Sequence, residues 1–253
     1  MTLTLPWVGL AAVLLASVRI AAFLVIAPPF SHHAIPATVK AMLALGIGML
    51  VAPRARGVPD PTDAGAFVAQ LLLQVVVGVG LGFLVWLVFS AVQSAGGIID
   101  LFGGFQLAQA YDPMNLTSGA QFSRLYQLTA VVLLFASDGY QLVITGLART
   151  FDVLPLGMPL RLAAMASVSG KGLTQMFLAA LQVAGPLVVV LFLADVGLGL
   201  LTRVAPALNA FALGFPLKIL LTLLLVSGAV LALPQLVSSL TGNAMTALMG
   251  VAQ

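Results

Sequence analysis

Two adjacent histidines, His32 and His33, are the first side chains in this sequence suited to proton transfer or metal binding. General acid–base catalysis needs titratable groups converging on one site, whereas neighbouring residues on a helix diverge by about 100°. The pair therefore reads as solvated loop residues. No HExxH, GxSxG, P-loop or Cys–His combination occurs, and the absence of cysteine excludes disulfides, thiolate nucleophiles and thiolate metal sites. The run Gly78-Val79-Gly80-Leu81-Gly82, with Asp100 further on, approaches a dinucleotide-binding fingerprint. It lacks the third glycine's spacing and falls inside an apolar stretch rather than after a strand. No catalytic residue, cofactor site or metal site is expected.

A second class of residue carries more information. Arg19, Asp138, Asp195 and Lys218 fall within or at the margins of strongly apolar segments, and Arg203 lies just beyond one. Each would cost roughly 2.5–3.5 kcal/mol if left facing lipid at mid-depth. They are candidate buried charge pairs, within the chain or between subunits. An ion path would cluster several acids on one helix, whereas these aspartates lie on different segments.

The elements that must position these charges follow from composition. Hydrophobic residues make up 61% of the 253-residue chain and charged residues 7%. Mean hydropathy is +1.17. A soluble domain carries roughly a quarter charged residues, so this chain must face lipid or other apolar subunits. A helix crossing the hydrocarbon core of about 30 Å needs about 20 apolar residues, and about six segments approach that length. They run near Trp7 to Ala27, Val39 to Ala52, Phe67 to Gln93, Leu125 to Leu147, Met176 to Leu201 and Leu217 to Leu236. The second is short and stops at Pro53. Pro186 inside the fifth removes a helix donor and predicts a kink, and Pro216 suits the first turn of the sixth. The fold class is thus all-α and polytopic, over one domain spanning residues 1–253. The first stretch lacks the basic leader of a cleavable signal and reads as a retained span. Positive residues divide five (Arg54, Arg56, Arg149, Arg161, Lys171) against three (Lys40, Arg124, Arg203), which does not set an orientation. They are scattered, with no nucleic-acid patch.

Between the segments, Pro28 to Thr38 and Arg54 to Gly65 read as loops, and Thr150 to Thr174 leaves room for an amphipathic segment. Ala95 to Arg124 is the longest connection. It carries Gly96-Gly97 and Gly103-Gly104, then Phe102, Phe105, a Tyr111-Asp112-Pro113 turn and Met114. Glycine-punctuated and rich in bulky apolar residues, it is too apolar for disorder and fits a re-entrant segment or plug. Gly78 and Gly82 form a GxxxG pair, which allows close helix approach where lipid supplies no hydrophobic drive.

The stretch from Asp195 through Arg203 and Asn209 to Ile219, ending Gly214-Phe-Pro-Leu-Lys-Ile219, resembles the signature region of the FliR family of flagellar export proteins. Arg19, Ala27-Pro28 with Phe30, and Ile35-Pro36 with Val39-Lys40 are similar too. So are Gly78 to Phe83, Asp112-Pro113 and Leu154-Pro155-Leu156-Gly157. Asp138-Gly139-Tyr140 stands where the family pattern suggests Asn-Gly-His.

The resemblance implies an all-α subunit of the flagellar type III export gate in the bacterial inner membrane, at the flagellar basal body. It implies a mixed-subunit helical assembly with FliP-like and FliQ-like subunits, neighbouring FlhB-like and FlhA-like components, in which some apolar segments are broken or hairpin-like. Unfolded flagellar proteins would be the cargo. It casts Phe102, Gly103, Gly104, Phe105, Tyr111, Asp112, Pro113 and Met114 as a pore plug, and Arg19, Asp195, Arg203 and Lys218 as inter-helix or inter-subunit charges. Gly78, Gly82 and Gly214 would serve packing, and Pro186, Asn209 and Pro216 helix breaks. An injectisome subunit is the near alternative. A secondary transporter using Asp138 and Asp195 is the alternative from another class, but it would need internal pseudo-symmetry, which this sequence lacks.

Overall fold

A computed structural model describes residues 7–32, 34–58, 63–105, 121–158, 162–205, 210–231 and 233–250. Helices account for nearly all of them: α1 (Trp7–Ile26), α2 (Ala37–Val51) with a 3-10 turn (Ala52–Arg54), α3 (Ala64–Phe102), α4 (Gln121–Ala136), α5 (Gly139–Val153), α6 (Leu162–Val204), α7 (Ala210–Val230) and α8 (Leu233–Gly250). No strand occurs among the described residues. Five of these helices are long and apolar enough to cross a membrane, or up to six if α4 and α5 count as one bent span.

The helix ends have local causes. Pro28 and Pro29 follow α1, and Pro53 turns the end of α2 into the 3-10 segment. Asp63 starts α3, its Oδ1 accepting the Ala66 N–H at 3.0 Å. At the start of α5, Asp138 adopts a left-handed backbone with φ 54°. Such a conformation is strained for most residues but more accessible to Asp and Asn. It ends the apolar run at Ser137-Asp138, so the segment expected from Leu125 to Leu147 is two helices. The last expected segment is also divided: α7 ends at Val230 and α8 starts at Leu233, with Pro234 in the first turn, where its missing N–H is harmless.

Other boundaries differ more. Of the stretch expected as loop from Ala95, the described residues are helical from Ala95 to Phe102 and from Gln121 onward. Gly96 and Gly97 therefore lie inside α3. Propensity disfavours glycine there, but Ala95 and Ile99 are fully buried, so packing outweighs it. The Thr150 to Thr174 connection is largely taken up by the start of α6. Pro216 lies inside α7 rather than at its first turn, because the helix begins upstream at Ala210, and Pro186 lies inside α6.

The chain divides into two compact units, one of Met1–Val88, Phe135–Leu173 and Leu240–Gln253 and one of Phe89–Leu134 and Thr174–Ser239. In the first, α1 buries Leu15, Ala16, Ile20, Phe23 and Leu24. Gly48 brings α2 against Ser17 of α1, and Gly78 and Gly82 bring α3 against the α1 backbone at Arg19 and Phe23. In the second, Val92, Ala95 and Ile99 of α3 are buried, as are Tyr126 and Leu134 of α4 and Ala184 and Leu191 of α6. Large apolar residues still face outward, among them Met42 and Leu50 on α2, Phe177, Phe192 and Leu193 on α6, and Leu220, Leu223 and Leu224 on α7. So large an apolar exterior demands lipid or protein cover.

Candidate functional site

Three polar centres interrupt this apolar framework. The first surrounds Arg19 on α1, which is 1% exposed. Its Nε donates to Gln74 Oε1 at 2.7 Å and its Nη1 to the Leu154 carbonyl at 2.9 Å. The guanidinium lies 4.2 Å from the centroid of the Phe151 ring. Gln74 is itself buried, and its Nε2 donates to the Leu156 carbonyl at 2.9 Å. Leu156 N–H in turn donates to the Arg56 carbonyl at 2.9 Å, and Gly57 and Gly157 meet backbone to backbone. Gly57 has φ +73°, which glycine adopts without strain. One buried cation thus ties α1 and α3 to the chain leaving α5. Its described acceptors are neutral oxygens and an aromatic face, so Arg19 is not paired with any of the aspartates considered as partners. Charge-assisted hydrogen bonds and the ring quadrupole replace a counter-ion.

The second centre joins α6 and α7. Lys218 Nζ lies 2.6 Å from Asp195 Oδ1, with side chains 22% and 45% exposed. A Cβ on Gly214 would fall 3.1 Å from Leu198 Cδ1, so α6 and α7 run close to one another here. Leu198 is three residues from Asp195 and Gly214 four from Lys218, which puts each on the same helix face as its charge. The glycine contact and the ion pair are successive rungs of one interface. In water such a pair contributes about 0–1 kcal/mol. Under lipid or a neighbouring subunit, an unpaired charge costs roughly 2.5–3.5 kcal/mol at mid-depth. Asp195→Asn and Lys218→Met are each expected to weaken assembly, and the double variant to lose less than their sum. A double-mutant cycle on co-purification with other export subunits should return a coupling of about 1 kcal/mol or more. A coupling near zero would mean that the pair faces water in the assembly.

The third centre was missed from sequence. Asp100, on the last turn of α3, is fully buried. Its Oδ1 accepts the Phe122 N–H and its Oδ2 the Ser123 N–H, both at 2.9 Å. Ser123 Oγ donates to the Gln93 carbonyl at 3.1 Å. Gly96 makes the approach possible, since a Cβ there would lie 2.6 Å from Ser123 Cα. Asp100 had drawn notice only as a distant match to a ribose ligand. The rule applied to other ionisable residues in apolar segments would have found it, and the same rule extended to amides would have found Gln74.

The remaining residues are placed as follows. Phe102 ends α3. Gly103 and Gly104 form the turn after it, Gly104 with φ +82°, and the Phe105 ring meets Phe122 edge-on at 4.9 Å. Tyr111, Asp112, Pro113, Met114, His33 and Asn209 lie outside the described residues. Asp138 is exposed at the break between α4 and α5, where Oδ1 accepts from Gln141 Nε2 at 3.3 Å. Arg203 is exposed in the last turn of α6. Neither is brought to another of the expected charge-pair residues. An apolar cavity of about 490 Å³ lies beside Pro186, lined also by Gln182, Leu187, Leu225 and Leu233.

Helices of this length and hydropathy, with the buried Arg19 and Asp100 hydrogen-bonded and an apolar exterior, define an all-α polytopic membrane protein. Known proteins sharpen that class. The family described as Bacterial export proteins, family 1, matches residues 10–244, and the chain belongs to it. It is 33% identical over 202 residues to the flagellar biosynthetic protein FliR of Escherichia coli (strain K12), covering 79% of this chain and 77% of that protein. To FliR of Bacillus subtilis (strain 168) it is 28% identical over 211 residues, 82% of each chain. The Yop proteins translocation protein T of Yersinia pestis is 28% identical over 160 residues, 62% of this chain and 61% of that one. The family is a structural part of the export apparatus, which implies assembly with other export-gate components.

Proposed function

We propose that this chain is the FliR-type subunit of a flagellar type III export gate, forming part of the channel that passes unfolded flagellar proteins across the inner membrane at the basal body. The observation that carries this reading is the family match over residues 10–244, joined to flagellar relatives that align over about four fifths of the chain. The injectisome relative aligns over 62% of the chain, which favours the flagellar system over the virulence type. Its partners are FliP-like and FliQ-like gate subunits, with FlhB-like and FlhA-like components adjacent.

Helix dimensions support a role inside an assembly. At 1.5 Å per residue, the 39 residues of α3 extend about 58 Å and the 43 of α6 about 64 Å. The hydrocarbon core is about 30 Å thick. Each helix is about twice as long as the hydrocarbon core is thick, so part of it lies beyond the lipid core. Helices α2, α6 and α7, with their outward-facing apolar residues, are the surfaces for lipid or protein cover.

The segment from Phe102 to Met114 is proposed as the plug. Bulky apolar side chains narrow a pore and dewet it, so that ions do not cross the closed gate. In a strain lacking this gene, the wild-type chain should restore hook-protein secretion and motility. A chain lacking Gly103 to Met114 should assemble yet leak ions. A null strain that swims and secretes normally would refute the flagellar assignment, and a tight deletion variant would refute the plug.

A further inference from the structure

We infer that the face of α6 around Gln182 is the seat of an apolar helix from another export-gate subunit. That helix brings one hydrogen-bonding side chain to Gln182 and one bulky aliphatic side chain to the cavity beside Pro186. This rests on the gate reading above. From residue 174 to residue 194, α6 carries no ionisable side chain and extends about 32 Å, close to the hydrocarbon thickness of about 30 Å. Gln182 lies near the middle of that stretch and is exposed. Its amide makes no hydrogen bond among the described residues. Its backbone adds a second open position. A helix carbonyl accepts the N–H four residues on, and residue 186 is proline, which has none. The Gln182 carbonyl is thereby released where Gln182 and Pro186 line the same apolar cavity of about 490 Å³.

The occupant has to answer both features. Water would satisfy the amide and the carbonyl, but an apolar cavity takes apolar groups rather than water. Lipid chains would fill the cavity, but they have no donor for the carbonyl and no partner for the amide. A protein helix supplies both, since Ser, Thr, Asn or Gln side chains hydrogen-bond across membrane helices and aliphatic side chains fill hollows. The surface also has the form a helix needs. Leu178, Gln182, Gly185 and Val189 recur at helical spacing on one face of α6. Leu178 and Val189 are exposed, and a Cβ on Gly185 would meet nothing within 4 Å. A glycine open in this way lets a second backbone approach closely. Leu187, Leu225, Ala229 and Leu233 complete the cavity wall, and all belong to the same compact unit as Gln182.

The test uses the full chain co-expressed with the other export subunits and extracted in mild detergent. Benzoylphenylalanine, a photoreactive residue, replaces Leu178 or Val189 in turn. Irradiation should join either position to another export subunit, at an apolar helix carrying Ser, Thr, Asn or Gln. Gln182→Leu should lower co-purification of that subunit roughly threefold to tenfold, the effect of one hydrogen bond between membrane helices. Pro186→Ala returns an N–H to the Gln182 carbonyl and should act in the same direction. Ala229→Phe fills the cavity from within. It should leave the melting of the purified chain unchanged or raised, yet reduce co-purification. A residue that served only the fold would move both readouts together.

Adducts with lipid alone would give the seat to the bilayer and overturn the inference. Undiminished co-purification of both Gln182→Leu and Ala229→Phe would overturn it as well. If the natural chain brings down no other export subunit, the gate reading itself fails, and the inference falls with it.

Discussion

Arg19→Ala is expected to leave almost no folded chain in the membrane, the larger of the two strongest effects anticipated for this protein. The substitution strips donors from Gln74 Oε1, which is buried, and from the Leu154 carbonyl, which is half-buried. Each buried acceptor left unpaired costs about 1–3 kcal/mol. Removing a large, 1% exposed side chain from against Phe151 adds a cavity cost of about 2–5 kcal/mol. The total is comparable to the whole stability of an ordinary domain, about 5–15 kcal/mol. Arg19→Lys should rescue only in part, because a compact ammonium cannot present two divergent N–H groups and a flat face to the ring at once. The measurement is the amount of monodisperse protein extracted in mild detergent, followed by its thermal melting. Should Arg19→Ala accumulate and melt like the natural chain, the buried knot would be a spectator of the fold.

The second large effect is expected at Gly78, one helical turn from Gln74. A Cβ there would collide with the Arg19 carbonyl and meet Ala22 Cβ at 2.8 Å. The obstacle is backbone, which cannot rotate away, so α1 and α3 would have to part. Gly78→Ala should cost about 1–3 kcal/mol by overpacking, and Gly78→Leu should prevent assembly. Gly80 provides the control. A Cβ at Gly80 meets only the flexible end of Met165, and alanine improves helix propensity by up to about 1 kcal/mol. Gly80→Ala should therefore melt within about 1 kcal/mol of the natural chain. Equal losses at both glycines would show that helix backbone entropy, not the α1 contact, decides the outcome. The Arg19 and Gly78 effects should not be additive, because one α1 residue supplies both the guanidinium and the carbonyl concerned.

These two residues show how differently parts of the molecule could be read. Arg19 stood out in sequence because a cation inside twenty apolar residues must be neutralised somewhere. Its partners did not stand out. Gln74 and the Leu154 carbonyl lie 55 or more positions away and carry no charge to flag them. Gly78 and Gly82 were legible as a packing pair, but nothing in GxxxG names the helix it receives. Asp195 and Lys218 were legible as costly charges, but not as partners of one another. Asp100 was the real omission. Its partners are backbone N–H groups, and backbone donors have no sequence signature.

Helix ends follow the same division. The sequence by itself determined that the protein is all-α and membranous, where most apolar segments lie, and which families it resembles. Those properties rest on composition and on local rules of length, proline and periodicity. Tertiary structure alone decided that α3 continues through Gly96-Gly97 to Phe102, and that Leu125 to Leu147 breaks at Asp138. It also decided that Arg19 finds neutral acceptors rather than an aspartate, and that Asp100 caps a helix 21 residues downstream of it. In each case the deciding energy is burial or hydrogen bonding between residues distant in sequence. Such energies exist only once the helices have packed, so local propensity could not reveal them.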